Sequence, residues 1–378
     1  MPERTQAALA GLVVLLILVF HLTVAWQDMA TLSCNGFLYD DSFYAFKIAR
    51  NIAAGNGLTF DGVHPTTGFQ PLYVFLLVPA YMAAGSDLVT PVYIALTMLA
   101  LLTSLTAWLV YRISRRYTGF VPAVLAAAVW GFSPIVTKQG ANGLETGLST
   151  FMIALSVYYY IDRVRPHWKL PNGRFAVLGM LLGVTVLSRI DGVFLVLAMM
   201  LDYLLVLRKR KMAAQALVRV SLMSAGVALL YGPWLLVNML QSGSPIQDSG
   251  SATRFLSMAY ATYFDNGGSN IADRGPDAAF ILEHLKHSLS TIKITPPTHV
   301  LFRSLDKVGE LAGFREPLHF AGNIAGIMAL IAMALSIRKW KKDPEFSRRR
   351  ELDFLLLLGG LLILSYSTYI FGAFFFMR

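Results

Sequence analysis

The 378 residues are 56% hydrophobic and only 14% charged, with a mean hydropathy of +0.56, which excludes a soluble domain because a water-facing surface of this length needs more charge. The net charge of +10 does not point to nucleic acid, since the basic residues fall between apolar runs rather than on one patch. One cysteine, Cys34, excludes an intrachain disulfide and a cysteine-based zinc cluster.

The first run, Leu9 to Val24, is apolar on every side, so it reads as a crossing helix and not as the alternating strand of a barrel. It exceeds the roughly 7–15 residues of a cleavable signal core, which predicts a retained signal-anchor over residues 1–26. The exported segment 27–90 follows. In it, Phe43, Phe46, Ile48 and Ile52 are set among Lys47, Arg50 and Asn51, the pattern of an amphipathic helix lying along the headgroups with Asp40 or Ser42 as its cap. Gly55, Gly57, Asp61-Gly62 and Pro65 then predict a turn-rich strip. The apolar run Pro71 to Met82 is only 12 residues long, which suits an interfacial or re-entrant helix better than a crossing.

Further spans are expected over 91–111, 119–137, 147–161, 175–188, 192–207 and 215–238, then, after a long exported loop at 239–318, over 319–337 and 352–374. With 8–26 these make about nine, an all-α polytopic transmembrane bundle. Twenty of the 32 Lys and Arg then fall on the side of the N-terminus, as cytoplasmic loops require. Were Pro71 to Met82 to cross, every later loop would change sides and that agreement would be lost. The remaining polar chain lies outside the cytoplasm: residues 27–90, Lys138 to Thr146, the turn Ser188 to Asp191, and the loop 239–318.

All candidate chemistry falls on that face. Asp40 and Asp41 are adjacent carboxylates, suited either to general-base work or, more blandly, to the acidic first turn of a helix. Glu145 stands just before a span. Arg189 and Arg254 are guanidinium groups placed to hold a phosphate with paired hydrogen bonds; for Arg189 the plain alternative is a turn-closing pair with Asp191. Lys138 is a third cation, or a span-end lysine reaching the headgroups. His64 opens the His-Pro-Thr-Thr-Gly strip and is read as a phosphate or cation ligand or as part of a turn cap.

The run Tyr39-Asp40-Asp41-Ser42-Phe43-Tyr44, continued by Ala49-Arg50-Asn51 and Gly55-Asn56-Gly57-Leu58-Thr59-Phe60, resembles the first exported loop of GT-C superfamily glycosyltransferases. It looks most like the branch of the terminal arabinofuranosyltransferases, with protein O-mannosyltransferases more distant. The likeness extends in order to His64-Pro65-Thr66-Thr67-Gly68-Phe69-Gln70-Pro71-Leu72, Asn142-Gly143-Leu144-Glu145-Thr146-Gly147 and Ser188-Arg189-Ile190-Asp191-Gly192. The resemblance implies an inverting enzyme of the cell envelope that takes a sugar from a polyprenyl phosphate and passes it to a glycan, lipid or protein acceptor. One of Asp40 and Asp41 would be the base, Glu145 would stand near the site, and Arg189, Arg254, His64 and Lys138 would be candidates for the donor phosphate. Metal dependence varies in that superfamily, so Mg²⁺ or Ca²⁺ on Asp40 and Asp41 stays open. Relatives continue past the position of Arg378, which implies further spans or an exported domain beyond it.

The rival from another class is a transporter or flippase of lipid-linked saccharides. Such proteins place ionisable groups inside their spans, whereas the spans read here are nearly free of charge.

Overall fold

The computed structural model describes residues 2–35, 37–165, 171–208, 213–245 and 247, all within a unit that runs from Met1 to Gly250. The spans expected at 319–337 and 352–374, Arg254 and most of the 239–318 loop lie outside the described residues. The described part is an all-helical integral membrane protein. Its elements are α1 (Glu3–Ala25), α2 (Met29–Cys34), α3 (Asp40–Ala53), α4 (Pro71–Ala84), α5 (Thr90–Tyr117), α6 (Phe120–Gly131), α7 (Pro134–Gly140), α8 (Thr146–Tyr159), α9 (Gly173–Ser188), α10 (Gly192–Arg208) and α11 (Ala213–Ser242). Three of these, α1, α5 and α11, are long and apolar enough to cross a membrane alone, and the bent pair α6–α7 makes a fourth candidate.

Side-chain bonds at both ends fix how α1 and α5 run. Trp26 stacks on Tyr93 at 5.1 Å and donates from Nε1 to Thr97 Oγ1, while Tyr93 donates to the Gln27 carbonyl. At the opposite end Arg115 donates to Gln6 Oε1. The two helices are therefore antiparallel, and they define a Trp26 end and an Arg115 end. Helix α8, by contrast, runs parallel to α5. Gly147 faces Leu99 and Thr103, and Arg112 reaches the Tyr158 hydroxyl at the Arg115 end.

The expected span at 119–137 is broken. Helix α6 stops at Gly131, α7 starts at Pro134, and the two are bent by 54°. Proline has no N–H to continue the ladder and forces the residue before it out of the helical region; Ser133 is accordingly extended at φ −64°, ψ 128°. The freed Gly131 carbonyl accepts a hydrogen bond from His21 Nε2 at 2.8 Å, so the break is satisfied from within the bundle, as a membrane requires.

Helix α4 has 14 residues, and its course follows from two anchors. The Tyr73 hydroxyl in its first turn donates to the Gly143 carbonyl at 2.7 Å. Its last residue is joined to α5 by only Gly85–Val89, a link that spans at most ~17 Å, and α5 starts at the Trp26 end. Helix α4 thus climbs from the Gly143 turn to the Trp26 end and never runs to the Arg115 end.

Helix α3 begins earlier than the sequence pattern suggests. Tyr39 takes the cap position, Asp40 and Asp41 form the first turn, and no side chain caps it. Ser42 donates back to the Tyr39 carbonyl at 2.5 Å, so neither Asp40 nor Ser42 is the cap. Asn51 does not face water with Lys47 and Arg50. It is buried and donates to both the Thr59 and Phe60 carbonyls at 2.9 Å, tying the end of α3 to the glycine-rich strip.

Helices α9 and α11 run parallel, with α10 returning between them. Gly179 and Gly183 are set against Met223, Gly226, Val227 and Leu230 at a sequence offset of 43 to 47 residues. Small residues at this spacing let two backbones touch in a membrane, where packing replaces the hydrophobic drive. Near the Arg115 end the span expected at 192–207 contains Asp202, which is buried. Arg165 holds it with two hydrogen bonds of 2.7 and 3.1 Å, and Tyr160 donates a third at 2.6 Å.

Candidate functional site

The loop between α7 and α8 builds the centre of the site. Asn142 is buried; its Oδ1 accepts from the Leu144 N–H, and its amide nitrogen donates to Gln139 Oε1 and Thr146 Oγ1. Gly143 takes φ +72°, a conformation a residue with a Cβ adopts only at cost. A Cβ there would also sit 2.8 Å from Ser42 Cβ and 2.9 Å from Leu38 Cδ2. The glycine therefore lets the start of α3 close onto the loop, where the Tyr39 N–H points to the Asn142 carbonyl. Tyr73 pins the other side of the same turn.

This turn delivers Glu145 inward, its side chain only 14% exposed. Arg189 meets it from the C-terminal end of α9, where the chain becomes extended. Its NH1 donates to Glu145 Oε1 at 3.2 Å and its Nε to Asp191 Oδ2 at 2.9 Å. The turn-closing pair with Asp191 is present, and the same guanidinium also reaches a carboxylate 44 positions earlier in the chain. Burial pushes the Glu145 carboxyl up from its ordinary range; the Arg189 charge opposes that shift, and Asp191 and Asp41 add to it.

Asp40 and Asp41 are exposed in the first turn of α3, where the helix dipole favours negative charge. Asp41 lies close enough for its charge to act on Glu145. Lys138, in the last turn of α7, sits over the Tyr39 ring at 5.6 Å. The structure thus brings Asp41, Glu145, Arg189, Asp191 and Lys138 around one loop although they come from four places in the sequence.

His64 is placed elsewhere, on an exposed turn of the strip. Its Nδ1 pairs with Asp61 at 2.6 Å, and Asp61 Oδ1 accepts from the N–H groups of Val63 and His64. The His64 side chain is 83% exposed. The turn is capped, and Asp61 does the capping; the Asp61 carboxyl is held well below its usual range, first by His64 and then by the two backbone donors. Arg254 lies outside the described residues. Among the described residues, no three or more His, Cys, Asp or Glu side chains converge as a metal site.

Tyr73 escaped the sequence analysis because it lies in a run read only for apolarity. Its signal was chemical: a tyrosine deep in an apolar helix needs a partner for its hydroxyl.

Residues 70–236 match the family model described as dolichyl-phosphate-mannose-protein mannosyltransferase. No match to a curated protein accompanies it. The matched stretch, somewhat under half of the chain, contains Tyr73, Gly143, Glu145, Arg189 and Asp191, and it starts after Asp40 and Asp41. The match over these membrane helices supports a membrane glycosyltransferase of the GT-C type.

Proposed function

We propose that the protein transfers a sugar from a polyprenyl phosphate to an acceptor on the extracytoplasmic side, with inversion at the anomeric carbon. The observation that carries this reading is Arg189, held between Glu145 and Asp191 beside the acidic first turn of α3. A guanidinium at the end of a span suits a lipid phosphate, and an exposed carboxylate beside it suits a base for an incoming hydroxyl.

In the reaction, the acceptor hydroxyl attacks the anomeric carbon and gives its proton to Asp40 or Asp41. The bond from that carbon to the phosphate oxygen breaks, and polyprenyl phosphate leaves with the electron pair. Arg189 stabilises the departing phosphate. To do so it shares hydrogen bonds now made to Glu145, and the upward-shifted Glu145 carboxyl takes up a proton as its cation is drawn away.

Asp202 gives the transporter reading its strongest footing, but its carboxylate is engaged by Arg165 and Tyr160.

The test uses Asp40→Asn and Asp41→Asn, singly and together, in membranes supplied with radiolabelled polyprenyl-phosphate sugars. Losing the base is expected to cost about 10²–10⁴ in transfer in one of the single variants. Full transfer by both, or uptake of label into vesicles with no new bond, would overturn the proposal.

A further inference from the structure

Buried polar atoms in membrane helices are normally paired, because no water waits to receive them. Three close to the site are not. Trp234 Nε1 and Asn238 Oδ1 on α11, and Gln70 Oε1 at the start of α4, are buried without a hydrogen-bond partner. Trp234 is 5% exposed and Asn238 fully buried.

These atoms share a neighbourhood. Trp234 and Asn238 are one turn apart on α11. The Trp234 ring packs on Phe69 at 5.2 Å and on Phe75 at 6.2 Å, and these two rings bracket Gln70 in sequence. The strip is tied to the end of α11 by Thr67 with Ser242 and by Gln247 Nε2 donating to the Phe69 carbonyl. The orientation of the Asn238 amide is set by its nitrogen, which donates to the Pro245 carbonyl at 3.2 Å.

Their place relative to the site follows from two registers. The α9–α11 offset of 43 to 47 residues sets Ser188 and Arg189 level with residues 231–236. Gln70 is one turn before Tyr73, whose hydroxyl holds the Gly143 turn. Trp234 is therefore at the level of Arg189 with Asn238 one turn beyond it, and Gln70 is one turn from the residue that holds the loop carrying Glu145.

We propose that Gln70, Trp234 and Asn238, with the Phe69 and Phe75 rings, form the subsite for the sugar ring of the donor, a proposal that rests on the donor assignment made above. The chemistry of the unpaired set selects the ligand class. It offers one donor and two acceptors. A phosphate only accepts and would leave both amide oxygens unpaired; a cation would leave the indole N–H unpaired. Hydroxyl groups do both, and a sugar carries several around a ring whose C–H face suits aromatic side chains.

Each unpaired atom also supplies its own control. If these groups serve only packing, deleting them removes a desolvation cost and leaves binding unchanged. Trp234→Phe deletes the N–H and keeps a ring; Gln70→Leu deletes an acceptor. Trp130→Phe removes another buried, unpaired indole N–H, on α6, away from the strip.

The purified full chain in detergent is titrated by calorimetry with farnesyl phosphate, farnesyl-phosphoryl mannose and farnesyl-phosphoryl arabinofuranose, and melting temperatures are recorded. Wild type is expected to prefer at least one sugar-bearing lipid to farnesyl phosphate. Trp234→Phe and Gln70→Leu should each weaken that ligand about three- to tenfold, as loss of one hydrogen bond does, with farnesyl phosphate binding and melting temperature maintained. Trp130→Phe should bind like wild type. Unchanged sugar-lipid affinity in both site variants, equal weakening toward farnesyl phosphate, or no sugar preference in wild type would overturn the subsite. A wild type that binds none of the three lipids would instead sink the donor assignment itself.

Discussion

The seam between α9 and α11 can be tested with one substitution made twice on the same helix. A Cβ at Gly226 would lie 2.7 Å from Gly179 C and Met180 N, whereas a Cβ at Gly232 meets nothing within 4 Å. Restoring ordinary contact of about 3.4 Å at Gly226 requires the two backbones to part by roughly 0.7 Å, and overpacking of this kind costs ~1–3 kcal/mol. The gain in helix propensity from glycine to alanine, about 1 kcal/mol, applies to both positions and cancels in the comparison. Gly226→Ala should therefore melt roughly 1–4 °C below Gly232→Ala, measured by intrinsic fluorescence in detergent. The same displacement moves Arg189, at the end of α9, relative to Glu145, and their 3.2 Å contact has only ~0.3 Å to spare before it ceases to be a hydrogen bond. Transfer activity should fall further than stability. A Gly226→Ala protein that melts with or above Gly232→Ala would refute the argument that the backbones touch.

Gly143→Ala should lose ~1–2 kcal/mol from the left-handed backbone alone and more from contact with Ser42 and Leu38; a melting curve and a transfer assay read both effects, and wild-type values in each would contradict the close approach of α3. Asp202→Asn should cost ~3–5 kcal/mol by removing the counter-charge of the buried Arg165, while Asp202→Leu combined with Arg165→Met should recover most of it; a double variant no better than the single would show that the pair does more than neutralise itself. Donor affinity should rise as pH falls through the elevated Glu145 range, since a neutral Glu145 releases Arg189, and Glu145→Gln should remove that dependence; a pH slope unchanged in the variant would exclude Glu145 as its source. For Asp61 the sign is opposite. Its folded carboxyl titrates below its unfolded value, so its contribution to the 58–66 turn is present above the ordinary carboxylate range and is lost as pH falls from that range down through the depressed folded value, which hydrogen exchange of that turn will register.

Apolarity and charge order made the membrane body legible, because lipid imposes the same length and polarity on every crossing helix. What stayed hidden came from pairings between distant residues. No local pattern says that Arg189 reaches Glu145, or that Asn51 turns inward to two carbonyls of the strip. Asp202 was passed over because one acid in an otherwise apolar run looks like a span end until Arg165 is seen beside it. Two signals were local and readable: Pro134, which broke the expected 119–137 span, and the Gly179-x-x-x-Gly183 spacing, which marks a seam between helices. The amphipathic pattern of α3 placed the helix correctly but not its start, since the cap is a backbone geometry that Tyr39 adopts without any side-chain bond.

Because α9 and α11 run in the same direction with α10 between them, their seam closes only after α10 has turned back and α11 has entered the bilayer. During synthesis Arg189 emerges before Trp234 and Asn238 exist, and α9 has to wait for the surface against which Gly179 and Gly183 will settle. Glu145 and Asp191 meanwhile serve Arg189 as partners made earlier or at the same time, keeping a guanidinium satisfied at the edge of the lipid until the last wall arrives. The order of the chain thus becomes an order of assembly, in which the cation is secured first and the face beside it is finished last.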